Sequence, residues 1–456
     1  MPIRNGFGGL LETEAEAASN ALSIFDTEAV ENILRERKSC QAKPSSLHGT
    51  GPFEIYLPSD RYSYIDPGSF RIHAKIKIRR YNNNGVVVDL PVVNNDHPTN
   101  VYPLNLFSKC IFKDIEVELQ HSKISLNASN TYPIKAYVTT LSSYGSDADK
   151  THLRCSYFHK DSPGQQDNFG QNANGLARLQ YISQSRMVHI NDNLHTELTS
   201  TSRYIVPGVD IKFRFIIEDP SLFLMSRGGP GQDDYVIEFH DFYLTYDRIL
   251  LKDAAHASME KRLLSSPAIY PITRTEIRTK GFAVGLTSLE WNNAYQGTLP
   301  ETVMVCMNLQ TAADRRATQN IFNFQHFNMR EMSLIVNSRR IPTVPLTFDF
   351  ANNEAIDAYR FFFDNIGVDI TNAQTLVNYT DFKNGTTIIP FDLTNDRCAL
   401  YHAHEKQEGN ISIDIKLTAA TAEAVNVYCI CIYRDYFYIS GPVDNRQVTL
   451  VPPQKR

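Results

Sequence analysis

Two blocks of alternating hydrophobic and polar positions dominate the chain. In residues 70–79, every second side chain is hydrophobic and its neighbours are polar or charged, and residues 411–417 repeat this pattern near the other end. A period of two residues is typical of a β-strand that buries one face and exposes the other. The pattern therefore predicts an all-β protein with two blocks of strands.

Turn-forming residues divide the blocks into strands. Residues 66–68 (Asp-Pro-Gly) and the Asn-rich residues 81–85 interrupt the first block, and residues 236–251 predict the long strand that closes it. The second block opens near residue 269 and closes with residues 425–439, where consecutive positions are mostly hydrophobic. Such a run predicts a strand that is covered on both faces.

The sequence favours helices in three segments. Residues 252–266 combine Ala with charged side chains and predict a connection between the blocks, and residues 353–365 have apolar residues near helical spacing. Before the strands, Asp26 and Thr27 can cap a short helix whose apolar stripe is followed by three basic residues, Arg35, Arg37 and Lys38.

The helix near the N-terminus belongs to a stretch of distinct composition. Such an arm is either frayed or docked on a neighbouring molecule or an internal partner, and we interpret it as docked. The predicted organisation is an arm at 1–48, a first domain at 49–252, a connection at 253–266, a second domain at 267–440 and a tail at 441–456.

Composition agrees with a large folded β-protein. The 456 residues are enough for two sandwiches of about 200 residues each. Hydrophobic residues make up 42% and aromatic residues 11%, with 25 Phe and 23 Tyr, which are frequent in strands and in large interfaces. The polar, Gly- and Asn-rich residues 156–174 predict an outward turret loop.

Charge, cysteines and targeting signals exclude several classes of protein. The net charge is −5 and no long basic block is present, so bulk condensation of nucleic acid is not expected. The seven scattered cysteines predict reduced thiols, with Cys429 and Cys431 in the core. No secretory h-region and no apolar run of about 20 residues occur, so neither secretion nor a membrane span is expected.

Chemical motifs are weak. His402, His404 and Glu405 could offer metal ligands, but no further ligand spacing accompanies them, and polar histidines at a strand end are commoner. The Gly-rich residues 228–231 are followed by acids, which predicts a loop and not a phosphate site. Four arginines are interpreted as solvated or interface charges: Arg315, Arg316, Arg339 and Arg340. The sequence thus predicts no catalytic, cofactor-binding or metal-ligating residues, no cofactor and no enzyme activity.

Specific sequence runs resemble the major capsid proteins of polinton (Maverick) elements and adintoviruses. These runs are SNTYPIKAYVTTLSSYGSDA (129–148), NIFNFQHFNMREMSLIVNSRRIP (320–342), IIPFDLTND (388–396), GPFEIYLPSDRYSYIDPGSFRIHAKIKI (51–78) and AIYPITRTEI (268–277). They spread over nearly the whole chain after residue 50, in the order in which the family has them. The N-terminal arm lies outside the resemblance.

The resemblance implies an all-β double jelly roll, with two eight-stranded sandwiches in tandem and an N-terminal helical arm. It further implies a homotrimeric, hexon-like capsomer of pseudo-hexagonal outline, which tiles an icosahedral capsid around double-stranded DNA. The implied partners are neighbouring capsomers, penton and minor capsid proteins, with no sequence-specific nucleic-acid binding. The implied location is the virion, after assembly inside a host cell.

Other functions remain open on the residues alone. A carbohydrate-binding β-sandwich would explain the Tyr content, although not the two-block length. A metal-dependent jelly-roll enzyme would use His402, His404 and Glu405. A host gene derived from an integrated element is a third alternative.

Overall fold

Long antiparallel strands form the framework of the computed structural model. The structure describes residues 31–47, 51–82, 84–92, 101–125, 131–226, 235–314, 318–366, 375–399 and 401–451. No helix within these ranges is long and apolar enough to cross a bilayer.

The first half of the chain contains eleven of the described strands and five α-helices. Its strands are β1 (Leu34–Ala42), β2 (Phe53–Leu57), β3 (Ser63–Tyr81), β4 (Val87–Asp89), β5 (Val101–Pro103), β6 (Phe112–Leu119), β7 (Ser122–Lys123), β8 (Val188–Asn193), β9 (Ile211–Ile217), β10 (Leu224–Ser226) and β11 (Tyr235–Leu251). Its helices are α1 (Phe107–Cys110), α2 (Tyr132–Ser143), α3 (Ser146–Lys150), α4 (Ala173–Ile182) and α5 (Pro220–Phe223).

The second half follows the connecting helix α6 (Asp253–Leu263). Its strands are β12 (Ala268–Phe282), β13 (Ser288–Thr298), β14 (Thr302–Leu309), β15 (Met329–Val336), β16 (Arg339–Thr347), β17 (Ile388–Asp392), β18 (Glu408–Leu417), β19 (Val425–Ser440) and β20 (Gln447–Val451). Its helices are α7 (Gln310–Ala313), α8 (Ile356–Asn365) and α9 (Tyr379–Lys383).

Each half forms a sandwich of two sheets. In the first sandwich, the sheet β1-β11-β3-β4, with β8 also paired to β3, packs on the sheet β2-β9-β6-β7. In the second sandwich, β12-β19-β14-β17, with β20 also paired to β19, accompanies β13-β18-β15-β16. Each sandwich therefore has eight described strands plus one terminal strand, β1 or β20. The short β5–β10 pair is separate.

Aromatic side chains fill the core of the first sandwich. Phe70 on β3 contacts Phe213 on β9 with ring centroids 5.1 Å apart, and Phe53 on β2 contacts Phe242 on β11 at 5.5 Å. All four rings are buried. Because they alternate with exposed polar residues along their strands, the two-residue period places them on the inner faces.

The helix predicted to reach Lys38 is wrong in its described part, because Leu34–Ala42 form β1. This strand pairs antiparallel with β11, and Arg37 lies 2.9 Å from Asp66 and 3.2 Å from Asp247. Pairing with the open edge of β11 satisfies a row of backbone groups, which outweighs the weak local helix preference. Residues 1–30, including the predicted cap at Asp26 and Thr27, lie outside the described residues.

Two other local predictions agree with the structure. The helix predicted at 353–365 is α8, which begins at Ile356. It begins later than predicted because Asn353 has a left-handed backbone conformation (φ 65°). This residue lies in a turn that is closed by backbone hydrogen bonds between Asp349 and Glu354. In β19, which lies between β12 and β14 in its sheet, both faces are buried from Val425 to Tyr433, as predicted. From Arg434 onward, burial alternates along the strand.

Candidate functional site

Polar residues join the two sandwiches along a seam. We define the seam as residues 156–178 of the first half together with residues 320–323 and 376–385 of the second half. The Gly164 N–H donates to the Asn384 carbonyl at 3.0 Å, and Gln166 donates to the same carbonyl at 2.9 Å. Asp167 accepts a hydrogen bond from the Asn320 N–H at 2.6 Å.

The turret predicted at residues 156–174 is therefore wrong. Asp161, Gln166 and Asn172 are buried between the sandwiches. A polar, Gly-rich composition is typical of solvated loops, but the same side chains can satisfy one another inside a protein. Composition alone does not distinguish the two arrangements.

The centre of the seam is a closed ion pair. The Arg178 guanidinium, which has no exposed surface, donates to Asp161 Oδ1 at 2.5 Å and to the Pro103 carbonyl at 2.8 Å. Asp161 also accepts from Asn172 at 2.8 Å and from Asn320 at 3.2 Å. These partners satisfy a buried pair whose charges would otherwise be costly to desolvate.

Beside this pair, which lies within the first half, a second ion pair crosses the seam. The Lys160 ammonium donates to Asp381, whose side chain is 4% exposed, and to the Leu376 carbonyl. Asp381 also completes a capping box with Asn378 at the start of α9. The apolar counterpart is a stack of Tyr137 on Phe322 with centroids 4.1 Å apart. Polar and apolar contacts thus fix the two sandwiches side by side.

The C-terminal residues 441–451, here named the clamp, hold the other end of the chain against the first half. Arg446 donates to both carboxylate oxygens of Glu260 on α6, at 2.6 and 2.7 Å, and to the Pro207 carbonyl at 3.0 Å. Gly208 has φ +82°, and a Cβ there would lie 2.2 Å from the Val443 carbonyl oxygen. Only glycine permits this approach.

A small polar pocket between the sandwiches contains two groups with shifted pKa values. Burial, with the positive charges of Lys135 and Lys109, lowers the pKa of His195 from 6.5 to about 3. Burial raises the pKa of Asp114 from 3.8 to about 6. The pair Lys135–Glu197, at 2.6 Å, lies in the same pocket. These groups therefore couple stability to pH with opposite signs.

The loop between β17 and β18 gathers the two histidines noted in the sequence. His402 Nε2 lies 2.9 Å from Asp396 Oδ2, and His404 Nε2 lies 3.0 Å from Asp396 Oδ1. Glu301 is 3.5 Å from His404 Nδ1. Glu405, the acid considered from sequence, is not part of this cluster; Asp396 and Glu301 take its place. Asp396 precedes the histidines by only a few residues, so this spacing could have identified it as a candidate ligand. Glu301 is distant in sequence, and no sequence pattern connects it with the histidines.

The other residues examined in the sequence have ordinary positions. Cys429 and Cys431 are buried free thiols with sulfur atoms 3.7 Å apart, as predicted for core cysteines. Arg339 and Arg340 are exposed on β16, as predicted. Residues 228–231, Arg315 and Arg316 lie outside the described ranges. Whether the chain lacks catalytic and metal-binding residues stays a prediction.

Comparisons with known proteins place these features in context. No protein-family model matches the chain. Among curated proteins, the chain is similar to the uncharacterized protein F54H12.2 of Caenorhabditis elegans, with 20% identity over 397 residues that cover 86% of this chain and 91% of the relative.

Solved virus structures share the fold over nearly their whole length. A chain of the Sputnik virophage has a TM-score of 0.62 and 11% identity, covering 99% of this chain and 94% of its own. The Faustovirus major capsid protein has a TM-score of 0.56 at 7% identity, with 91% and 92% covered. The mavirus major capsid protein has 0.53 at 10% identity, with 97% of each chain covered. The predicted fold class, an all-β double jelly roll, is confirmed.

Proposed function

We propose that this chain, which has the double jelly-roll fold of viral major capsid proteins, is the major capsid protein of a polinton- or adintovirus-type element. In this role three copies form a capsomer of pseudo-hexagonal outline, and capsomers tile an icosahedral shell around double-stranded DNA. The location is then the capsid of the virion, assembled inside a host cell. A nematode relative that matches over 91% of its own length agrees with an element carried in animal genomes.

The observation that carries the proposal is the two-sandwich architecture matched from end to end. The Sputnik and mavirus chains cover 99% and 97% of this chain, so both sandwiches and the connection between them are matched. A trimer of chains with two similar domains each contains six similar domains, which can occupy the six corners of a hexagonal outline. This supports a trimer as the unit that tiles a surface with local six-fold packing.

The seam supports the same role mechanically. In a capsomer, the two domains of each chain must keep a fixed arrangement, without hinge motion between them. The Lys160–Asp381 pair and the Tyr137–Phe322 stack oppose such motion, because separating the sandwiches would leave charged and aromatic groups without partners.

One edge of the second sandwich has the character of a subunit contact. Strand β16 is the last strand of its sheet, and none of its nine residues is buried. Val344 on this strand is 75% exposed. Two prolines and two arginines on β16 oppose backbone pairing with another strand, so a contact here would be made by side chains such as Val344. We therefore assign β16 to a contact between capsomer subunits or between neighbouring capsomers.

The remaining partners and boundaries extend the proposal. The domain limits are those predicted above, with the first domain at 49–252 and the second at 267–440. Residues 1–48 would approach the interior or a neighbouring subunit, although β1 within them belongs to the first sandwich. Penton and minor capsid proteins would be separate chains, and no sequence-specific contact with nucleic acid is required.

The enzyme alternative has one observation in its favour, the Asp396–His402–His404 cluster. Two of its three side chains are about half open to solvent, His402 at 57% and Asp396 at 44%, while His404 is 17% exposed. A catalytic metal site usually lies in a cavity that encloses the substrate. We therefore favour the capsid role and no enzyme activity. The carbohydrate-binding alternative would predict glycan binding by a monomer.

The test is the oligomeric state of the purified chain. Size-exclusion chromatography with light scattering should give about three times 51.7 kDa, and negative-stain images should show a pseudo-hexagonal outline. A chain that stays monomeric over a range of salt and pH would contradict the proposal. Glycan-array binding by that monomer would then support the carbohydrate-binding alternative.

A further inference from the structure

Three potential metal ligands converge in the loop between β17 and β18, away from the seam. The ligand atoms of Asp396, His402 and His404 all lie within 4.8 Å of one another. The two imidazole rings have centroids 4.4 Å apart and are inclined by 36°. Both histidines present Nε2 to the same carboxylate, at 2.9 and 3.0 Å.

We propose that these three side chains bind a divalent transition-metal ion, with Zn²⁺ as the best match. Imidazole nitrogen and carboxylate oxygen are both common zinc ligands, and zinc accepts mixed sets of four. An ion between the three residues would replace the present contacts of both Nε2 atoms with Asp396. Three protein ligands leave a fourth position for water or for a side chain of another molecule.

Glu301 provides the supporting contact that such sites require. Its side chain is 4% exposed, and its carboxylate is 3.5 Å from His404 Nδ1. Metal-binding histidines usually present their second ring nitrogen to a carboxylate or carbonyl, which fixes the ring and directs the other nitrogen to the metal. Here Nδ1 lies nearest Glu301 and Nε2 faces the cluster, so the ring has the orientation of this arrangement, at an ion-pair distance that is longer than a good hydrogen bond.

Backbone hydrogen bonds hold Glu301 in place. Its N–H donates to the Ile432 carbonyl at 3.0 Å, and its own carbonyl accepts from the Leu393 N–H at 2.8 Å. The supporting carboxylate is therefore anchored to β19 and to the residue that follows β17. His404 is oriented by the sheet framework and not by the loop alone.

The loop itself is shaped before any ion binds. The buried carboxylate of Asp392 accepts from the N–H groups of Thr394 at 2.8 Å and Ala399 at 3.1 Å. The Cys398 N–H donates to Asp396 Oδ1 at 3.1 Å. These bonds fix the loop around Asp396 and leave its other oxygen, Oδ2, facing His402 Nε2 at 2.9 Å.

The exposure of the site indicates its role. An ion held by His402 and Asp396 would lie at the protein surface, because both side chains are about half exposed. Such an ion would tie the β17–β18 loop together and could accept a ligand from a neighbouring molecule. This inference stands independently of the capsid role, because it concerns a single chain.

The experiment is a metal titration of the full chain after treatment with chelator and dialysis. Co²⁺ is the first probe, because its d–d absorption reports nitrogen and oxygen ligands directly; Zn²⁺ affinity follows by competition, and native mass spectrometry gives the stoichiometry. The variants are His402→Ala/His404→Ala, Asp396→Asn and Glu301→Gln. The matched control is His189→Ala, because His189 is exposed on β8 in the first sandwich.

The original chain and His189→Ala should bind one Co²⁺ or Zn²⁺ per chain. The double histidine variant should lose this binding, and Glu301→Gln should weaken it about 10- to 100-fold through loss of the supporting carboxylate. Equal binding by the double variant, or no binding by the original chain, would overturn the proposal. Circular dichroism and light scattering of the metal-free variants show separately whether folding or trimer formation has failed.

Discussion

Arg178 and Asp161 form an ion pair that is closed to solvent at the junction of the two sandwiches. The donor and acceptor atoms are 2.5 Å apart. Asn320 from the second sandwich donates a further hydrogen bond to Asp161. A buried charge keeps its position only while all its partners remain, because an unpaired charge inside a protein is costly. Both members of the pair belong to the first half, so the pair meets the second sandwich through the hydrogen bond from Asn320.

Replacing Arg178 by Met should destabilise the seam by about 3–5 kcal/mol, because Asp161 would stay buried without its cation. Urea unfolding can be followed by far-ultraviolet circular dichroism and by Trp291, the single tryptophan, on β13. Because Arg178 and Asp161 belong to the first half and Trp291 to the second, we expect the two signals to separate, with the first sandwich unfolding at a lower urea concentration. The exposed Arg186→Met is the control, and coincident transitions at the original midpoint would contradict the prediction.

Residues 156–174 should resist limited proteolysis of the folded chain, because hydrogen bonds of Gly164, Gln166 and Asp167 tie the segment to the second half. Digestion followed by mass spectrometry of the fragments would locate the first cuts. The Arg178→Met variant should become susceptible in the same segment. Early cleavage there in the original chain would mean that the segment is a surface loop.

Val344→Asp should weaken trimer formation, since a charge at an apolar contact on β16 must be desolvated without a partner. We expect at least about a tenfold increase in the dissociation constant, corresponding to 1.4 kcal/mol. Light scattering over a dilution series measures it. Val86→Asp is a suitable control, because Val86 is also exposed but precedes β4 in the first sandwich. An unchanged trimer in the Val344 variant would remove β16 from that contact.

His195 should make the chain less stable as the pH falls from 6.5 toward 3. Its pKa is lowered to about 3 in the folded state, so the unfolded chain binds the extra proton in this window and stability falls by about 1.4 kcal/mol per pH unit. His195→Gln should flatten this part of the stability profile. Urea midpoints at pH 7, 6, 5 and 4 would show it, with His189→Gln as control.

Asp114 acts in the opposite direction in the same pocket. Its pKa is raised to about 6, so the folded chain retains a proton that the unfolded chain releases from pH 3.8 upward, and stability falls as the pH rises through this window. Asp114→Asn should therefore raise the urea midpoint at pH 7 more than at pH 4. An equal gain at both pH values would contradict the pKa argument.

Periodicity predicted the sandwiches because a half-buried strand must alternate. The pattern at residues 70–79 lies inside β3, and the pattern at 411–417 lies inside β18. The same reasoning missed β1, whose sequence lacks alternation and whose structure comes from the open edge of β11, about 210 residues away. Tertiary pairing of this kind leaves little trace in a local pattern.

The contacts of the seam and of the histidine cluster could be predicted from the sequence only in part. Residues 156–174 have the composition of a solvated loop, and only the three-dimensional arrangement reveals that Asp161 meets Arg178. In the cluster, the two histidines were visible as neighbours in sequence. Glu301, about 100 residues earlier, becomes adjacent only because Leu393 and Ile432 bond to its backbone.

The clamp also has a consequence for biosynthesis. Arg446 lies beyond every strand except β20, so the ribosome adds it only after both sandwiches have been translated. A nascent chain has all the strands of the first sandwich long before the guanidinium that bridges Glu260 and Pro207 is available. Because domains can fold while synthesis continues, this contact forms later than the contacts within the first sandwich. A chain interrupted before Arg446 would therefore have all the strands of the first sandwich but not the contact that ties residues 441–451 to it.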